Sequence, residues 1–214
     1  MAKERISDYE GEELTVTYDR KLCIHAAECG RAKSELFNTK NDPWCSPDAE
    51  PLGKSVDILE RCPTGALTYA RKDGVAEAAP DEATLNVSPH GPVFLRGDIH
   101  IKTPDGDRQM TRLALCRCGA SKNKPFCDNS HYAVKFNDMG AVSGDSVDLA
   151  SEPGPLSVTP FPNGPVKVTG DFTIYTGSGR AAMTQKEVYL CRCGKSANKP
   201  FCDGTHNSIG FEAD

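Results

Sequence analysis

The sequence predicts an α+β protein assembled from three small units instead of one large domain. The cysteines fall into three groups, two of those groups belong to an internal repeat, and the elements between them are short. Of 214 residues, ten are cysteine, 19 glycine and 15 proline, while only 38% are hydrophobic. Glycine and proline at this level punctuate a chain into short strands and loops. So lean an apolar content suits several small cores, each reinforced by something other than side-chain packing.

Composition also removes classes of function. With 25 basic and 30 acidic residues the net charge is -5, which argues against coating nucleic acid. No run approaches the ~18 apolar residues of a membrane span. The opening residues 1–13 are charged and acid-rich with no apolar core, so neither a secretory signal nor a transit peptide is expected. The expected location is cytoplasmic, where cysteines are poor disulfide candidates and better metal ligands.

Taken in order, residues 14–18 (LTVTY) alternate apolar and polar positions as a half-buried strand does. Residues 51–61 carry Leu52, Val56 and Leu59 at helical spacing, with Pro51 suited to a helix start. A strand over 66–70 closes the first unit, and residues 76–81 (AEAAPD) form a linker. Further on, residues 92–95, 99–102 and 113–115 suit short strands bounded by glycine and proline, as do 166–168, 173–175 and 188–190. The expected domains are 1–80, 81–140 and 155–214, with 141–155 as a loose connection.

The last two units are copies. LCRCGASKNKPFCDNSH, from Leu115 to His131, recurs as LCRCGKSANKPFCDGTH from Leu190 to His206, identical at 13 of 17 positions and offset by 75. Upstream, GPVFLRGD from Gly91 matches GPVKVTGD from Gly164 at an offset of 73. Phe136 and Phe211 stand five residues past each histidine. Each copy offers three thiolates and one imidazole: Cys116, Cys118, Cys127 and His131, then Cys191, Cys193, Cys202 and His206. Three cysteines and a histidine also make a structural zinc set, but zinc ligand pairs usually stand two to four residues apart, and Cys-x-Cys is tight for that. A two-iron cluster has two centres to feed, one taking the close pair and the other the later cysteine with the histidine.

Ser121, Pro125, Cys127, Asp128 and His131, repeated as Ser196, Pro200, Cys202, Asp203, Gly204 and His206, resemble the CDGSH iron–sulfur family, the mitoNEET-like proteins. The first copy departs from the pattern at Asn129, where the family has Gly; asparagine tolerates a left-handed backbone, so the turn is expected to survive. The resemblance implies one [2Fe–2S] cluster per motif and two units packed as a pseudo-two-fold pair within one chain. On their own chemistry, Asp128 and Asp203 are expected as partners of loop N–H groups in preference to a catalytic role, and Phe126 and Phe201 as covers. His131 and His206, whose charge changes near physiological pH, are expected as acid-labile ligands. Lys124 and Lys199 read either as reaching toward a cluster or a partner's acidic surface or as solvated charge, and Arg117 and Arg192 either as offsetting sulfide charge or as pointing outward.

In the first unit Cys23 and Cys29 stand six apart and Cys62 precedes Pro63. Bacterial ferredoxins run Cys-x2-Cys-x2-Cys and receive a remote Cys-Pro; here Ala26 replaces the middle cysteine. Residues 14–69, with CIH, DPW and the Cys-Pro-x-Gly-Ala ending, resemble the divergent single-cluster ferredoxin-like domain. Three thiolates at this spacing, Cys23, Cys29 and Cys62, can hold a [3Fe–4S] core, or a [4Fe–4S] core if another group ligates the fourth iron. Cys45, the spare thiol, is the first candidate for that group, although the family that this region resembles has an apolar residue there. His25 is the second, an open or three-iron site is the alternative, and Trp44 is expected in the core.

The expected function is electron transfer, or storage and transfer of iron–sulfur clusters, by a monomer that is not an enzyme. No dinucleotide loop, Walker motif or nucleophile–base spacing is present in the sequence. The expected partner is a redox protein or an apo iron–sulfur acceptor, with no nucleic acid and no membrane. A redox-enzyme subunit and a zinc-binding interaction module remain as alternatives.

Overall fold

The computed structural model describes residues 5–150 and 154–213, so the ends of the first and third expected domains and part of the 141–155 connection lie outside the described residues. The fold is α+β, mostly strand with a few short helices. The chain divides into two compact units, Met1–Ala78 and Ala79–Asp214. Among the described residues no helix is long and apolar enough to cross a membrane.

The first unit is a three-stranded antiparallel sheet in the order β1 (Ile6–Glu10), β2 (Leu14–Asp19), β3 (Leu67–Arg71). Alternation along β2 turns Leu14, Val16 and Tyr18 to the buried side. The helix α2 (Leu52–Glu60) packs against β3 and buries Ile58 and Leu59. Between β2 and α2 runs a long loop that holds a single helical turn, α1 (Glu28–Arg31), and a 3-10 turn, Pro47–Ala49. The expected first strand, helix and closing strand are therefore present; β1, half-exposed along its length, carries no apolar alternation that would have marked it.

The second unit is one six-stranded sheet shared by both repeats. The first supplies β4 (Thr84–Val87), β5 (Val93–Ile101) and β6 (Arg108–Leu115); the second supplies β7 (Leu156–Pro160), β8 (Val166–Tyr175) and β9 (Ala181–Leu190). The short strands expected at 92–95 and 99–102 are one strand, as are those at 166–168 and 173–175. The first carries one register shift, after Arg96, and the second two, after Thr169 and after Ile174. The glycines that read as breaks, Gly97 and Gly170, have φ of 152° and 120° and stand where a Cβ would press on Ala83 and on Leu156 of the neighbouring strand segments.

Strand pairing is reciprocal between repeats. β4 lies antiparallel to β5 and parallel to β8, while β7 lies antiparallel to β8 and parallel to β5. Thr84 faces Thr173; Ser157, 73 positions after Thr84, faces His100, 73 positions before Thr173. The core between them is fully buried: Leu85, Leu95, Ile99 and Leu113 from the first repeat, Val158, Val168, Phe172 and Ile174 from the second.

Candidate metal centres

Each repeat ends a strand on its first cysteine and folds the next fifteen residues back over it. After β6, Ser121 Oγ donates to the Phe126 carbonyl at 2.7 Å and accepts the Asn123 N–H at 3.0 Å. Cys116 N donates to Pro125 O at 2.8 Å, which sets the segment around Cys127 beside the Cys-x-Cys pair. Asn129, at φ 71°, starts the short helix α3 (Ser130–Ala133) that carries His131, so the left-handed turn survives without glycine. In the second repeat Gly204, at φ 85°, starts α4 (Thr205–Ser208) and carries His206. Asp128 accepts the N–H groups of Lys122 at 2.8 Å and Ser130 at 3.0 Å; Asp203 does the same for Ala197 and Thr205. Both aspartates thus clamp their loops. Lys124 Nζ donates to the Ser121 carbonyl at 2.6 Å, and Lys199 to that of Ser196, so each lysine ties down its own loop.

The donors stand two and two. Cys116 and Cys118 Sγ are 3.8 Å apart, and Cys127 Sγ is 3.6 Å from His131 Nδ1. In the second repeat the same distances are 3.7 Å for Cys191–Cys193 and 3.3 Å for Cys202–His206. Two sulfurs on one tetrahedral metal at about 2.3 Å stand about 3.8 Å apart, and a sulfur and an imidazole nitrogen about 3.5 Å apart. All four pairs match these separations. Among the described residues no group of three such donors converges as one metal ion would require. The donor set therefore fits a two-metal group, one metal per pair.

Electrostatics supports a cationic occupant. Burial pushes the Cys127 and Cys191 thiols up to about 11. Cys116 is also raised, first by its contact with Cys118 and then by burial, while that contact lowers Cys118 to about 7. Buried thiolates need a compensating positive charge, which a coordinated metal supplies. Backbone N–H groups already point at them: Ala120 N to Cys118 Sγ at 3.5 Å, Asn129 N to Cys127 at 3.4 Å, Gly204 N to Cys202 at 3.5 Å.

Arg117 and Arg192 are only 1% exposed. Arg117 donates from Nε to Gly91 O at 2.9 Å and from Nη2 to Ser88 O at 2.6 Å, pairs with Asp138, and lies over the Phe136 ring. Arg192 reproduces this on Gly164 O, Phe161 O and Ala213 O, over Phe211. These arginines staple the strand start and the segment after the histidine to each cysteine pair. Their presence between cysteines in both copies was the available signal, and it did not distinguish this role from a solvated one.

The first unit gathers Cys23, Cys29 and Cys62 around one cavity of about 720 Å³, whose wall also includes Tyr18, His25 and Trp44. Burial raises the Cys29 thiol, helped by the nearby charges of Cys62 and Cys23. Burial also pushes Cys45 up to about 12, but Cys45 is 1% exposed and not part of the cavity wall. His25 is: its Nδ1 lies 4.0 Å from Cys23 Sγ, on a backbone at φ 52°. Trp44 is half-buried, stacked on Phe37 with centroids 5.0 Å apart and donating to the Tyr9 hydroxyl at 2.5 Å. It is a wall of the cavity as much as a core residue. The aromatic character of that wall, from Tyr18 and Trp44, was not read from the sequence.

Comparison with known proteins bears on both units. A family model described as "Divergent 4Fe-4S mono-cluster" matches residues 9–72, and one described as "Iron-binding zinc finger CDGSH type" matches 90–132 and 163–207. "Uncharacterized protein YjdI" of Escherichia coli (strain K12) is 38% identical over 64 residues, 30% of this chain and 84% of that protein. The protein of the same name from Escherichia coli O157:H7 gives the same values.

Proposed function

Because the chain belongs to the iron-binding CDGSH family through its two repeats and to the divergent 4Fe-4S mono-cluster family through its N-terminal region, we propose that it carries three iron–sulfur clusters and serves in electron transfer or in cluster storage and transfer. Each repeat holds a [2Fe–2S] cluster, on Cys116, Cys118, Cys127 and His131 and on Cys191, Cys193, Cys202 and His206. The observation that carries this reading is the two-and-two donor spacing, near 3.8 Å between sulfurs and near 3.5 Å between sulfur and imidazole. When bound, each cluster supplies a one-electron couple, whose potential histidine ligation raises relative to an all-thiolate set. The chain's own part is to hold the donors in pairs, bury the thiolates and aim N–H groups at sulfur.

The reciprocal register of β4 and β7 supports a pseudo-two-fold pair inside one chain, so that the protein acts as a monomer. In the N-terminal unit, Cys23, Cys29 and Cys62 hold a [3Fe–4S] or [4Fe–4S] cluster. His25 is favoured over Cys45 as a fourth ligand because His25 lines the cavity and Cys45 does not.

Iron, zinc and acid-labile sulfide analysis with EPR on anaerobically purified protein tests the assignment. The expected result is about seven or eight irons per chain, two two-iron signals and a third signal lost in the Cys62→Ser variant. Zinc without sulfide overturns the proposal in favour of a structural module; about four irons would leave the N-terminal unit without its cluster.

A further inference from the structure

The two cysteine loops of the repeat unit touch with nothing but backbone between them. A Cβ added to Gly119 would lie 2.2 Å from the Cys193 carbonyl oxygen, and one added to Gly194 would lie 2.1 Å from that of Cys118. Beside this contact is a hollow of about 440 Å³. Its wall includes one candidate ligand from each centre, Cys118 and Cys193, with Lys135, Lys195 and Lys199. No carboxylate lines it, in a chain whose net charge is -5. Lys135 and Lys195 are exposed and form no ion pair among the described residues.

Lysines beside anionic clusters have a plain explanation, neutralisation, which would put the same charge on both halves of a duplicated unit. The repeat lets this be checked. The residues 75 positions from those lining the hollow are two lysines, Lys195 and Lys124, and one carboxylate, Glu212, with Gly210 in place of Lys135. The three-lysine, carboxylate-free wall occurs once. The segment that supplies Lys135 also exposes apolar side chains: Tyr132 at 75%, Val134 at 52% and Met139 at 65%. Exposed apolar groups beside unpaired cations are the composition of a protein docking surface.

Resting on the electron-carrier reading above, we propose that this hollow is a single port where an acidic protein redox partner docks and exchanges electrons with both repeat clusters, by way of Cys118 and Cys193. The transfer would be of a single electron, lost by the reduced partner and accepted by the group that Cys118 or Cys193 would hold, with no covalent bond formed or broken. Because histidine ligation raises a cluster's potential, donation from a plant-type ferredoxin would run downhill.

The test is stopped-flow reduction of the oxidised holoprotein by three donors: reduced plant-type ferredoxin (an acidic protein), the methyl viologen radical cation and the small dithionite anion. In the K135Q/K195Q variant the ferredoxin rate should fall about three- to tenfold at low salt and lose much of its ionic-strength dependence, while the viologen rate does not fall. V134S should slow ferredoxin alone. K102Q/K186Q, which removes the same charge from exposed sites outside the hollow, should leave the ferredoxin rate within about twofold of the parent. Equal slowing by the two double variants, or none with K135Q/K195Q, overturns the port while leaving the electron-carrier reading intact. Slowing of the small dithionite anion by K135Q/K195Q with no effect of V134S on ferredoxin overturns the protein partner in favour of a small anion. Failure of every donor to reduce the clusters overturns the electron-carrier reading and the port with it. Retention of the visible absorbance in each variant shows that the clusters are in place.

Discussion

The two cysteine segments are identical at 13 of 17 positions, yet single residues make their centres unequal. His131 is buried at 5% exposure, with the Tyr132 ring 4.3 Å from its own. His206 and Cys202 are only half-buried, and Asn207 stands where the first copy has Tyr132. Solvent access controls how readily a ligand is displaced from its metal. Treatment of holoprotein with an iron chelator should therefore bleach the two repeat clusters in two phases, the second-repeat centre first, with rates on the order of tenfold apart. Tyr132→Ala should accelerate the slow phase and leave the fast one unchanged; a single phase in the parent protein would show that the burial difference has no bearing on cluster access. The candidate donors of each repeat were legible in the sequence because each set lies within sixteen residues, from Cys116 to His131. What single residues around them do was less legible. A buried arginine stapling two carbonyls and an exposed arginine leave the same letter in the sequence, and Arg117 and Arg192 are the former.

At the scale of elements, the cysteine loops are locked by their partners across the repeat. Gly119 and Gly194 have φ of 81° and 76°, and each would drive a Cβ into the other loop's carbonyl. Gly119→Ala should cost about 3 kcal/mol or more, from left-handed strain plus the collision, read as a lowered denaturant midpoint. It should also perturb the EPR signals of both repeat clusters, since the loops abut. Gly179→Ala is the control, because Gly179 has a similar φ of 82° with nothing within 4 Å of an added Cβ. Its cost should be only about 1–2 kcal/mol, with both signals unchanged. Equal effects of the two substitutions would show that the loop contact contributes nothing. Strand length was misread at the same scale, since Gly97 and Gly170 look like breaks but permit bulges within continuous strands. β4, four residues long, and β7, which ends in Pro160, were too short or too irregular to give an alternating signal.

At the scale of the molecule, pairing between repeats sets what can fold alone. β4 takes part of its pairing from β8, and β7 from β5, so neither repeat completes its sheet by itself. A fragment of residues 79–214 should fold and retain both repeat clusters, with about four irons, whereas residues 79–150 alone should hold none stably. Stable two-iron loading of the single repeat, measured by iron content and visible absorbance, would refute this dependence. The N-terminal unit has its own sheet and helix and gathers three of its four cysteines, Cys23, Cys29 and Cys62, around one cavity.

By itself the sequence determined the candidate donor set of each repeat, that the chain is duplicated, and that the N-terminal cysteines form a separate group. Those features are local: they depend on spacing within one loop, or on identity between two segments. Only the tertiary structure decided that the repeats share a sheet, that the donors stand in pairs, that His25 and not Cys45 faces the N-terminal cavity, and that three lysines surround one hollow. Each of these depends on contacts between segments far apart in the chain, such as Thr84 with Thr173, where no periodic pattern connects the partners. Local spacing can be read as text, whereas a long-range partner is chosen by the burial and pairing of the whole unit.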